Sequence, residues 1–243
     1  MSDSEPNELY RKNHLLAALP TEEYQRILPH LEVVWLSHRQ ILHEINEPID
    51  YVYFPTQALF SLVSLMEDGA TVEVSLVGKD GMVGLPICWG GDSATTQAIV
   101  QIPGDAIRIT ADRLKAEFER HGVLYRLLLL YTQALFTQVA QTAACNRRHT
   151  VEQRLARWLL SIEDRMESEQ LLLTQEFIAQ MLGIRRSGVT VAATALQQAG
   201  TIRYSRGKIA IIDRQLLQSS ACECYKVVKN EFDRLIHLIH NSA

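Results

Sequence analysis

The chain has 243 residues, 47% hydrophobic and 21% charged, with a formal net charge of −4, a balance that suits one large core or two modest ones in an ordinary soluble protein. The longest apolar run, Leu127 to Leu130, is far short of the roughly 20 residues of a membrane span, and the acidic start Met1-Ser-Asp-Ser-Glu-Pro is unlike a signal peptide. A cytoplasmic protein with no membrane partner is therefore expected. Cys88, Cys145, Cys222 and Cys224 are too few and too scattered for a disulfide framework and read as thiols. Charge is unevenly spread: residues 1–146 hold 10 Lys and Arg against 18 Asp and Glu, residues 147–243 hold 14 against 10. A polyphosphate would be repelled by the first part and attracted by the second.

In chain order, Leu15 to Leu19 and Thr21 to Leu28 read as short helices, with Pro20 and Thr21 at a helix entry. The period then changes. Val33-Val-Trp-Leu, Ile41-Leu-His, Tyr51-Val-Tyr-Phe, Leu59 to Leu65, Thr71 to Val77 and Ala98 to Ile102 read as short strands, separated by turn signals at Asp68-Gly69, Lys79-Asp80-Gly81, Gly90-Gly91-Asp92 and Pro103-Gly104-Asp105. Closely spaced strands of this kind predict an antiparallel barrel or roll over residues 15–110.

A helical region follows over residues 111–146. Thr110 is placed to cap a helix from Ala111 to Arg120, Gly122 breaks it, and a longer helix runs from Val123 to Ala144. Leu124, Leu128, Tyr131, Leu135, Gln138 and Thr142 recur at steps of four and three. Apolar residues on more than one side of this helix favour contact with both the roll and a second chain over packing on the roll alone. The seam of a homodimer is expected at Leu124, Leu128, Tyr131 and Leu135. A tight bend is expected near Cys145–His149. After it, Thr150-Val-Glu-Gln153 has the form of a capping box opening a new helix and a new domain, residues 147–217, with a helical extension over 218–243.

The most informative segment, residues 173–200, parses as helix, turn, helix, stop. Thr174 caps a short helix whose Phe177, Ile178 and Met181 face inward, Gly183 makes the turn, and a second helix begins near Arg185 with Val189, Ala192, Ala195 and Leu196 on its buried side and Gly200 after its end. Arg185, Arg186, Ser187 and Thr190 are left near its exposed N-terminal end, where the helix dipole favours phosphate and arginine can pair with guanine. Thr201 to Tyr204, the turn Ser205-Arg206-Gly207-Lys208 and Ile209 to Ile212 then form a hairpin with a basic tip, in which Arg203, Arg206 and Lys208 are candidate phosphate ligands.

The order of these parts resembles the Crp/Fnr family of bacterial transcription regulators, over residues 15–217 and most specifically over 173–212. The resemblance implies an α+β fold: an N-terminal antiparallel β-roll of the cyclic-nucleotide-binding jelly-roll kind, a long central dimerisation helix and a C-terminal winged helix-turn-helix. It also implies a homodimer on near-palindromic double-stranded DNA and contact with RNA polymerase. Thr174 and Gln175 fall where the family touches phosphates, Arg185, Arg186 and Ser187 where it meets groove and backbone, and Arg186 matches a base-reading arginine. Ser187 and Val191 replace a glutamate and a second arginine, so the family's usual half-site does not carry over. The stretch Gly84-Leu85-Pro86 and the pair Thr95-Thr96 replace the Gly-Glu-Leu turn and the Arg-Ser or Arg-Thr pair that hold a cyclic phosphate. Leu85 accepts no ribose hydroxyl and Thr95 neutralises no charge, so control by cyclic AMP is not expected.

The iron-sulfur branch of the family uses an N-terminal cysteine cluster, whereas the first cysteine here is Cys88. Cys222-x-Cys224 has no second two-ligand set at zinc spacing. No metal and no cofactor are assigned. The chain has no Gly-rich phosphate loop, G-x-S-x-G elbow, H-E-x-x-H or paired-carboxylate motif, which argues against an enzyme. The alternative is a ligand-binding signalling module whose roll is the working part and whose winged helix makes protein contacts.

Overall fold

The computed structural model describes residues 9–166 and 171–240; the acidic start lies outside them. The chain forms two compact units. One takes residues up to Leu62, Val77–Phe136 and the chain from Glu231 onward; the other takes Val63–Leu76 and Thr137–Asn230.

In the first unit, α1 (His14–Ala17) and α2 (Thr21–Ile27) lead into the β-roll. Its strands are β1 (Glu32–Leu36), β2 (Ile41–His43), β3 (Tyr51–Pro55), β4 (Leu59–Leu65), β5 (Thr71–Val77), β6 (Gln97–Ile102) and β7 (Gly104–Thr110), in two sheets of order β1-β7-β3 and β2-β6-β4-β5. Inward-facing Leu36, Tyr53, Phe60, Val83, Val100 and Ala106 form a common core, each contributing the burial of an apolar side chain, about 1.5–3 kcal/mol for the larger ones.

The sequence reading missed β7 because Pro103-Gly104 looks like a turn and Thr110 like a helix cap. A single residue, Pro103, separates β6 from β7, and β7 pairs antiparallel with both β1 and β3, setting Ile107 against Val33 and Phe54. Gly104 permits this: a β-carbon there would lie 2.8 Å from the Ala58 amide nitrogen.

After α3 (Ala111–Phe118), the long helix α4 runs over Val123–Arg148. Glu23 satisfies its first amides, accepting from Val123 N at 2.7 Å and Leu124 N at 2.9 Å, where a carboxylate also complements the helix dipole. The bend expected near Cys145–His149 falls at the end of that span: helix continues to Arg148 and the chain bends at His149 before the next helix. The expected seam is corrected. Leu124 and Leu128 are 0% exposed, Tyr131 1% and Leu135 7%, so these four belong to the chain's own core. Tyr131 also donates its hydroxyl to the Met82 carbonyl at 3.0 Å. The large apolar side chains that α4 leaves open are Leu129 and Phe136, one heptad apart and 44% and 73% exposed. By length and composition α4 alone would pass for a membrane span; in the fold it carries a buried stripe through Leu124, Leu128 and Tyr131.

In the second unit, Thr150 caps α5 (Val151–Glu163) with the expected reciprocal box to Gln153. Then come β8 (Leu171–Leu172), α6 (Gln175–Leu182), α7 (Arg186–Gln198), β9 (Ile202–Ser205), β10 (Lys208–Ile211), α8 (Arg214–Ser220) and the first part of α9 (Cys224–His240), which belongs to the first unit from Glu231 onward. The wing is a three-stranded sheet of order β8-β10-β9, one strand more than the sequence reading found. A two-residue strand carries too little pattern to be read locally. The tip of the β4–β5 hairpin packs in this unit: Gln180 donates to Thr71, and a β-carbon on Gly183 would come within 3.0 Å of Val72.

Candidate nucleic-acid interface

The helix-turn-helix is built by three local devices. Thr174 Oγ1 accepts from Phe177 N at 3.2 Å and opens α6. Gly183, at φ +61°, ends it in the left-handed conformation. Gly200, at φ +74°, follows the last turn of α7. Val189, Ala192, Ala193 and Leu196 bury the inner face of α7; Ala193 takes the fully buried place expected of Ala195, which is half-buried.

Arg185 is the N-cap of α7 and makes no side-chain cap bond. The first amides of α7 therefore lack a side-chain acceptor from their own cap, as suits a helix end that receives an anion. Arg185, Arg186, Ser187 and Thr190 are all exposed around this end. The wing's tip is a two-residue turn in which Arg206 and Gly207 both have positive φ, +51° and +76°, the hand that matches the twist of the flanking strands. The register pairs Ser205 with Lys208 and Arg203 with Ala210, so Arg203, Ser205 and Lys208 share the outer face of the hairpin.

Between the start of α6, the start of α7 and the wing tip lies an open groove lined by Thr174, Gln175, Arg186, Tyr204, Ser205, Arg206 and Gly207. It gathers four of the sequence-derived residues, Thr174, Gln175, Arg186 and Arg206. Arg185, Ser187 and Thr190 lie beside it on α7 and its cap, and Arg203 and Lys208 lie on the wing strands. Thr190 Oγ1 donates to Gln175 Oε1 at 3.0 Å, which orients the Gln175 amide and leaves its NH₂ group as a donor. The sequence reading missed Tyr204. Its phenol donates to the Leu173 carbonyl at 2.9 Å; burial pushes its pKa up while the Arg186 charge opposes that shift. An aromatic residue beside a basic turn was the signal available for it.

A cluster of side chains with metal-ligand chemistry lies in the same unit. Cys145, His149, Cys222 and Cys224 offer ligand atoms all within 4.8 Å of one another. The sequence reading set Cys222 and Cys224 aside for want of a second pair; the fold brings that pair from the end of α4. Cys145 is held low, at about 5, by the hydrogen bond from Cys222 and the charge of Arg157, against the opposing effect of burial. Cys88 stands apart in the first unit, pushed up to about 12 by burial, which makes it a poor nucleophile.

Leu85 is 3% exposed in a 3-10 turn, Leu85–Trp89, that follows Gly84 at φ +109°. Thr95 is exposed.

Residues 153–220 match the family model of the Crp-like helix-turn-helix domain. No curated protein matches the chain by sequence. Among solved structures, FixK2 from Bradyrhizobium japonicum superposes with a TM-score of 0.68 at 19% identity, over 79% of this chain and 98% of its own. A transcriptional regulator of the Crp/Fnr family from Eubacterium rectale gives 0.67 at 20% identity, over 84% and 96%. The c-di-GMP-responsive global regulator CLP from Xanthomonas campestris gives 0.65 at 15% identity, over 80% and 100%.

Proposed function

Because the chain carries a Crp-like helix-turn-helix domain on the fold of the Crp/Fnr transcription regulators, we propose that it is a sequence-specific reader of double-stranded DNA that regulates transcription as a homodimer. The observation that carries this reading is the groove between α7 and the wing, with Arg186 at the helix start and Arg206 at the turn. A helix end with open amides and arginines enters a major groove favourably, and a basic wing follows the phosphates beside it.

In this reading Arg186 meets base edges, and Thr174, Gln175, Arg185, Ser187 and Thr190 position the helix on the backbone. Arg203, Arg206 and Lys208 bind phosphates from the wing. The dimer seam runs along α4 through Leu129 and Phe136, the large apolar side chains that this helix leaves exposed. A near-palindromic site follows from two-fold symmetry, and RNA polymerase is the partner expected of a regulator of this fold. Cyclic AMP does not control it: buried Leu85 and uncharged Thr95 supply neither an acceptor for a ribose hydroxyl nor a cation for a cyclic phosphate.

The test is selection of bound fragments from genomic DNA by the purified protein at moderate salt. A two-fold symmetric motif with half-sites about 34–36 Å apart is expected. Failure to enrich any motif, together with retention that does not fall as salt rises, would overturn the reading.

A further inference from the structure

Cysteine 145 and His149 stand four residues apart at the end of α4, on one face of the helix; His149 N still makes the helical bond to the Cys145 carbonyl at 3.1 Å. Cys224 opens α9 and Cys222 lies two residues before it, more than 70 residues later in the chain, the two flanking Glu223. Cys145 Sγ and Cys222 Sγ are 3.5 Å apart, and Cys224 Sγ and His149 Nδ1 are also 3.5 Å apart. Four ligands at the corners of a tetrahedron around one ion, with metal–sulfur bonds of about 2.3 Å, stand about 3.8 Å from one another. The two separations of 3.5 Å lie close to that figure, and all four ligand atoms are within 4.8 Å of one another. A multi-iron cluster places an inorganic core between its cysteines and would hold them further apart.

The surroundings fit as well. His149 turns Nδ1 to the sulfurs while Nε2 donates to Glu223 Oε2 at 3.2 Å, the carboxylate–histidine arrangement that fixes the ring and its tautomer for a metal. Gln141 Nε2 donates to Cys224 Sγ at 3.2 Å, a bond that suits a thiolate. Arg154 and Arg157 are 7% exposed, and among the described residues the Nε of each has no hydrogen-bond partner. A divalent ion with three thiolates and a neutral imidazole carries one negative charge, which two buried guanidinium groups offset. The three cysteines are 0%, 4% and 0% exposed, so the site is closed and leaves no ligand position for substrate.

We propose that Cys145, His149, Cys222 and Cys224 bind one tetrahedral divalent ion of the zinc class, which fastens the first turn of α9 to the last turn of α4. The competing chemistry for the same atoms is a Cys145–Cys222 disulfide.

The experiment uses the full chain without an affinity tag, prepared under reductant and free of chelator. Elemental analysis is expected to find one zinc per chain, retained in Cys88→Ser and lost in Cys224→Ser. Refilling the metal-depleted protein with Co²⁺ alone is expected to give the ligand-field bands of a tetrahedral site with thiolate-to-cobalt charge transfer. In His149→Ala the charge transfer should remain while the ligand-field bands shift. The cobalt spectrum of the unaltered chain decides the matter even where Cys224→Ser does not fold. Protein without metal, without a cobalt spectrum and with all thiols free to a thiol reagent would overturn the proposal. So would a mass two hydrogens lower with Cys145 and Cys222 in one cross-linked peptide.

Discussion

Trp158 of α5 donates its indole N–H to Glu73 Oε1 of β5 at 2.7 Å, with the two residues 1% and 7% exposed. This charged hydrogen bond ties β5 of the β4–β5 hairpin to the first helix of the winged domain, within the unit that takes residues 63–76 together with 137–230. Trp158→Phe removes the donor but keeps most of the ring, leaving a buried carboxylate one partner short. It should cost about 1–3 kcal/mol in urea unfolding, and Glu73→Gln, which keeps an acceptor for the indole, should cost less. Equal and negligible costs would show that the bond contributes nothing to holding the hairpin.

The faces of α4 separate folding from assembly. Leu128→Ala or Leu135→Ala removes a core side chain and should destabilise the fold by about 2–5 kcal/mol. Leu129→Glu and Phe136→Glu change exposed positions, so thermal unfolding of the monomer should hardly move, while sedimentation equilibrium should show loss of the dimer. A dimer that survives the double glutamate change would place the seam elsewhere.

Arg186→Ala should weaken binding to the selected site by about 1–3 kcal/mol and relax base preference at one half-site position. Fluorescence anisotropy across single-base variants of the site reads both. Unchanged selectivity would remove Arg186 from the base-reading set.

Arg206 occupies a positive-φ position that glycine adopts without strain. In Arg206→Gly, relief of that strain opposes the greater chain entropy of glycine, so stability should change little. The slope of log affinity against log salt should fall by about 1 as one phosphate contact is lost. An unchanged slope would mean the wing tip does not touch the backbone.

His43 is 8% exposed, and its Nε2 donates to the Tyr51 carbonyl at 2.7 Å. Burial lowers its pKa, only partly offset by that hydrogen bond, so the folded chain keeps the ring neutral while the unfolded chain takes up a proton near pH 6.5. Its contribution is therefore present above that pH and lost as pH falls through and below it. His43→Gln keeps a donor and should flatten the fall in the urea midpoint between pH 7.5 and pH 5.5, if the midpoint is followed by circular dichroism. The same fall in the variant would assign it to other groups.

Sequence alone determined the elements that rest on neighbours in the chain. The capping box at Thr150, the Thr174 cap, the left-handed glycines at 183 and 200 and the Arg206-Gly207 turn are short-range devices whose physics is complete within a few residues. Together they made the winged helix legible. What the sequence left open was decided by contacts across long stretches of chain. Period alone showed that α4 has apolar faces, but which face turns inward was set by the roll and by Phe232, so Leu124, Leu128, Tyr131 and Leu135 went to the core and left Leu129 and Phe136 outside. Strand β7 exists because β1 and β3 claim its hydrogen bonds, against a local signal for a turn. The Cys145, His149, Cys222 and Cys224 quartet was invisible to spacing because its halves, at the end of α4 and the start of α9, are more than 70 residues apart in the chain. Ligand geometry is a property of where side chains meet, and only the packing of α9 on α4 brings these together.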